Sequence, residues 1–94
     1  MADMKIMLSW TVHQGKLREA LTRFARMTPA EENKALGPNL RVIGRWHDLV
    51  RGRGVVLYEC NDAKALAALG LHWNDIMDVD ICTVLDDAET RSLA

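Results

Sequence analysis

The run Gly44-Arg45-Trp46-His47-Asp48 places a cation, an indole, an imidazole and a carboxylate side by side. Imidazole is the side chain whose ordinary pKa, near ~6.5, lets it take and return protons at neutral pH. His47 is therefore the first candidate catalytic group. In an extended strand, residues two apart share a face, so Arg45 and His47 fall on one face and Trp46 and Asp48 on the other. Burying an arginine under helices is costly. Polarity thus predicts Arg45 and His47 on the face away from the helices, lining a cavity, with Trp46 joining Trp10 in the helix-side core. His13 ends the first strand on its mixed face and is the second candidate catalytic residue. With Arg45, His47 and either Asp78 or Asp80 it makes a polar constellation at a cavity mouth.

Around these groups the expected ligand-binding residues are Arg45, Trp46, Trp10 and Glu59. Arg45 would hold a fixed or developing negative charge. Trp10 or Trp46 would supply an apolar wall for a planar ligand. Glu59 ends an apolar strand, where a buried carboxylate has a raised pKa and can act as a base. The structural alternatives are a Glu59 pair with Arg53 or Arg45, histidines that only hydrogen-bond, and tryptophans that only fill the core. His72 reads as structural.

Other chemistries find little support. The three His and two Cys show no HxxxH, HxH or CxxC spacing, so neither a metal site nor a cofactor is expected. Gly52-Arg53-Gly54 precedes a strand rather than a helix N-terminus, which argues against a phosphate loop; glycine there suits a hairpin turn. No nucleophile elbow occurs. Twelve Lys+Arg against thirteen Asp+Glu give a net charge of -1, with no basic excess for nucleic acid or an anionic membrane surface. No apolar run approaches the ~20 residues of a membrane span. The start, Met1-Ala2-Asp3-Met4-Lys5, does not form a signal peptide, and a cytoplasmic location is expected. Cys60 and Cys82 read as unpaired, buried thiols.

The elements that must position these residues follow from periodicity in one domain of 94 residues. Ile6, Leu8, Trp10 and Val12 alternate, predicting a strand. Leu17, Ala20, Leu21, Phe24 and Met27 repeat at helical spacing within 16–27. Thr28-Pro29-Ala30-Glu31 starts a short extra helix to about Leu36, stopped by Gly37-Pro38. Strands over 40–47 and 55–60 flank a Gly-rich turn. Asn61-Asp62 opens a helix over 63–73, and 77–85 is a fourth strand. The core spans about 4–87, and the last residues, 88–94, read as a frayed tail.

Strand, helix, strand, strand, helix, strand is the α+β, ferredoxin-like βαββαβ plan: a four-stranded antiparallel sheet with its helices on one face. Apolar residues on the other face, among them Met7, Cys82 and Val84, predict a homodimer packed sheet to sheet around a cavity.

The segments Leu8-Ser9-Trp10-Thr11-Val12-His13, Gly15-Lys16 and Gly44-Arg45-Trp46-His47-Asp48 resemble the domain of unknown function 3303 family of small bacterial proteins. Gly52-Arg53-Gly54, Glu59, Asp62 and Trp73-Asn74-Asp75 extend the resemblance over about residues 4–87. The resemblance implies a dimeric α+β barrel, a superfamily that includes cofactor-free monooxygenases, isomerases and stress-responsive proteins. The expected function is a dimeric small-molecule binder, possible as a cofactor-independent, monooxygenase- or isomerase-like enzyme on a hydrophobic planar or carbonyl ligand. The alternative is a non-catalytic ligand sensor or stress-associated interaction protein.

Overall fold

The computed structural model describes residues 3–94. The reading of the chain's start therefore rests partly on Met1 and Ala2, which lie outside the described residues. The elements in order are β1 (Met4–Val12), α1 (Leu17–Arg26), α2 (Pro29–Leu36), β2 (Leu40–Asp48), β3 (Arg53–Cys60), α3 (Ala63–Trp73), β4 (Met77–Val84) and α4 (Asp87–Arg91).

Alternation in β1 sends Ile6 and Leu8 into the core and leaves Ser9 and Thr11 exposed. β1 pairs antiparallel with both β3 and β4, and β2 pairs antiparallel with β3, giving the order β2-β3-β1-β4. This is the ferredoxin-like arrangement. α1, α2 and α3 share one face of the sheet: Leu36, Ala65, Leu66 and Leu69 pack against the cluster of Ile6, Leu8, Val56 and Tyr58, while Ala20 packs with Ile76 and Met77. Cys60 is buried in the first cluster.

The extra helix begins as its residues dictate. The Thr28 hydroxyl accepts from the Glu31 backbone N–H at 3.2 Å, and Pro29 occupies the first turn, where its missing N–H costs nothing. Gly52, at φ 64°, turns the β2–β3 hairpin in the left-handed region that favours glycine. Its carbonyl then accepts from the Val12 N–H at 2.7 Å, which docks the hairpin on the end of β1.

Three expectations are corrected. The sheet is open: β2 and β4 are its two edges, so it is not the closed barrel implied by the dimeric α+β barrel resemblance. The homodimer falls with the barrel, because the outer face is not continuously apolar. Half-buried Met7, Val55 and Leu57 are bordered there by ion pairs Arg41–Glu59 (2.7 Å), Arg53–Asp48 (3.4 Å) and Lys5–Glu89 (3.0 Å). Last, the segment read as a frayed tail carries α4. Asp86 and Glu89 cap it reciprocally, at 2.8 and 3.0 Å, and Lys5 ties Glu89 to β1.

Both cysteines are free, and β1 lies between their strands. Cys60 is buried as expected, but Cys82 is exposed on the outer face. Among the described residues no helix is long and apolar enough to cross a membrane.

Candidate functional site

The site is set by an irregularity in β2. Val42 faces Tyr58 across the sheet, but the next paired residue is Gly44, opposite Leu57. Ile43 is thus one residue too many for its partner strand, which is a β-bulge, and it reverses the alternation beyond it. Arg45 pairs with Val56 and His47 with Gly54, so both share the helix-side face with Leu8 and Trp10. Trp46 turns outward, 59% exposed, with its ring over Gly44. The expected face assignment is therefore inverted.

Between this sheet face and α1, α2 and α3 lies a cavity of about 350 Å³. Leu8, Trp10, Leu21, Phe24 and Leu69 contribute its apolar wall. α1 presents one stripe to it, because Leu17, Leu21 and Phe24 are spaced at one helical turn. Its orientation is fixed by Arg23, which donates to both carboxylate oxygens of Asp75 at 3.1 and 2.9 Å and lies over the Trp73 ring. The Trp10 indole lies against Gly54, where any Cβ would overlap the ring and the Trp46 carbonyl oxygen.

The polar part of the cavity is a compact cluster. Arg45 grips Glu32 of α2 through two nitrogens: Nη2 donates to Oε1 at 3.1 Å, and Nη1 stands 3.0 Å from Oε2. The two side chains are only 18% and 16% exposed. Burial opposes the charge on Arg45, but Glu32 and the neighbouring Tyr58 hydroxyl outweigh it and raise the guanidinium pKa. Burial pushes the Tyr58 hydroxyl up, against the pull of Arg45. Arg45 also covers the Phe24 ring, 5.1 Å from its centre. The cost of placing arginine under helices is thus offset by a bidentate carboxylate and an aromatic face.

His47 stands beside this cluster, with the Phe24 ring 4.9 Å and the Trp10 ring 5.4 Å away, centre to centre. The residue is exposed, so only part of the ring is withdrawn from water. Burial first, and the Arg45 charge second, lower its pKa from the ordinary 6.5. The imidazole is consequently biased toward its neutral, proton-accepting form at neutral pH.

The sequence-predicted residues divide between the two faces. Arg45, His47 and Trp10 come together in the cavity. Trp46 is outside it. His13 does not join them: it lies on the other parity of the strand and pairs with Asp78 at 3.1 Å. Glu59 pairs with its cross-strand neighbour Arg41 on the outer face rather than with Arg53 or Arg45. Sequence reasoning missed Glu32, Tyr58 and Phe24. Tyr58 carried a usable signal, being a lone hydroxyl at the same parity as Val56 and Cys60 in an apolar strand. Among the described residues no group of three or more His, Cys, Asp or Glu is placed to hold a metal ion.

A family model described as a domain of unknown function (DUF3303) matches residues 4–94. Neither a curated protein nor a solved structure matches the chain.

Proposed function

The chain belongs to the DUF3303 family, and from that premise we propose that it binds a small hydrophobic, planar or carbonyl-bearing ligand in the helix-side cavity and moves a proton on it without a cofactor. One observation carries the reading: a histidine biased toward neutrality packs against two aromatic rings in the wall of an apolar cavity. A concave apolar site with a few convergent polar groups is the usual form of a small-molecule site. A titratable group perturbed by burial and a named neighbour is what proton transfer requires.

In this reading the ligand's ring lies against Trp10 and Phe24. A neutral His47 nitrogen removes a proton from the carbon next to a ligand carbonyl. The electron pair moves onto the carbonyl oxygen, where donors from Arg45 and Tyr58 stabilise the enolate. Return of the proton to the same carbon completes an exchange cycle, and with a β,γ-unsaturated ketone its return at the γ carbon completes an isomerase-like one; neither needs another reactant.

Quenching of tryptophan fluorescence by 2-acetylnaphthalene tests binding, and proton NMR in D2O tests exchange of its acetyl hydrogens. Saturable quenching is expected, with exchange above the buffer rate that is lost in His47→Gln. Binding without exchange would favour the non-catalytic ligand sensor. Absence of saturable binding would contradict the reading.

A further inference from the structure

We propose that Glu32 sets the charge of the ligand: the cavity takes a neutral planar molecule bearing a hydrogen-bond acceptor and rejects the matching carboxylate. The inference rests on the cavity being a ligand site and goes further by naming the class of ligand.

An arginine in an apolar cavity would ordinarily mark a site for an anion. Here the guanidinium end is already taken by Glu32 in two-point geometry. Asp48 and Arg53, at the hairpin end of the cavity, lie in register with exposed Thr11 and pair with each other on the outer face, at 3.4 Å. His47, the imidazole beside Arg45, is held toward its uncharged form by burial and by that same arginine. Hence a carboxylate entering the cavity meets no unpaired guanidinium or ammonium group among the described residues. To reach Arg45 it must displace Glu32, which would leave one of two poorly hydrated carboxylates without a partner. Breaking a partly buried pair in this way is far costlier than leaving it intact.

A neutral acceptor meets no such penalty. Two hydrogen bonds to Glu32 leave N–H donors on a guanidinium, which carries five in all. A ketone or quinone oxygen can accept from one of these while the ion pair persists. The extra helix α2 thereby acquires a role: it carries the carboxylate that neutralises the cavity, fixed by the Thr28 cap at one end and buried Leu36 at the other.

The test compares 2-acetylnaphthalene with 2-naphthoate at pH 7.5, two probes of similar shape that differ in charge, by tryptophan quenching and calorimetry. The wild-type protein should bind the ketone at least roughly tenfold more tightly than the carboxylate. Glu32→Gln, which frees Arg45 for an anion, should raise naphthoate affinity about tenfold while changing ketone affinity less than about threefold. Equal or tighter naphthoate binding by the wild type would overturn the inference and leave the cavity reading standing. A folded Glu32→Gln variant with no gain for naphthoate would overturn it as well. Binding of neither probe would overturn both. If circular dichroism shows the variant unfolded, the wild-type ranking alone decides.

Discussion

Arg45 and Glu32 are thirteen residues apart in sequence and meet through both guanidinium Nη atoms, at 3.0 and 3.1 Å, beneath the helices. The pair ties α2 to β2 and lets an arginine point into the helix-packed side of the sheet. It also means that each partner is a liability alone. Replacing Glu32 with Leu should cost roughly 2–3 kcal/mol by stranding the Arg45 charge, and the double replacement Glu32→Leu/Arg45→Leu should recover much of that loss. Urea denaturation of the three variants against wild type measures the coupling; additive losses would show that the pair is not an energetic unit.

Trp10 and Trp46 should respond oppositely to truncation. Trp10 packs on Gly54 and against both core clusters, whereas Trp46 is 59% exposed. Trp10→Ala is expected to cost about 2–4 kcal/mol. Trp46→Ala should cost about 1 kcal/mol or less, as for an exposed position. Thermal melts rank the two, and a larger loss for Trp46 would place the wrong face toward the helices.

That contrast shows how far the sequence could be read. Periodicity found β1, α3 and the extra helix closely, because Ile6-Leu8-Trp10-Val12 and the Thr28-Pro29 start express local chemistry that folding preserves. The register of β2 was out of reach of the same rule. Alternation from Leu40 onward groups Val42, Gly44 and Trp46 together, and only the extra Ile43 opposite β3 separates them. Glycine within a strand can mark such a bulge, but it does not say which residue is unpaired. The polarity argument failed for a second reason: the carboxylate that makes a buried Arg45 tolerable comes from α2, and no local pattern links Glu32 to it. Likewise, an apolar face on the sheet suggested a partner, while the cross-strand charges that border it, Arg41–Glu59 and Arg53–Asp48, become neighbours only in the folded register.

The imidazole of His47 should titrate below 6.5 in the folded protein, since burial and the Arg45 charge both disfavour its cation. The unfolded chain then binds more protons than the folded one as pH falls below 6.5. Stability is therefore full above that value and declines on the acid side toward the folded pKa. Asp48, Asp75 and Asp86 have pKa values lowered from 3.8, so their stabilising contribution is lost only at still lower pH. His47→Gln should flatten the decline just below 6.5, and Arg45→Gln should raise the His47 midpoint. NMR titration of the ring protons and denaturation at several pH values measure both effects; a His47 midpoint at or above 6.5 would contradict the burial assigned to it.

Gly54→Ala tests the close approach beneath the cavity floor. A methyl group at this position overlaps the Trp10 ring and the Trp46 carbonyl oxygen, and the backbone oxygen has little freedom to move. A loss of about 1–3 kcal/mol is expected from overpacking. It should be accompanied by weaker 2-acetylnaphthalene binding, because displacement of Trp10 alters the cavity wall. Wild-type stability and affinity in this variant would show that Trp10 does not rest on Gly54.

The most direct measurement of the ligand site is a titration of isotope-labelled protein with 2-acetylnaphthalene, followed by backbone and aromatic chemical shifts. A ligand held between the sheet and α1, α2 and α3 should give saturable shifts at Phe24, His47, Tyr58 and Leu69. Ser9, Val55 and Cys82, on the opposite face of the sheet, should move little. Shifts concentrated on Ser9, Val55 and Cys82, with Phe24 and His47 unmoved, would contradict the helix-side cavity as the place where this protein takes its ligand.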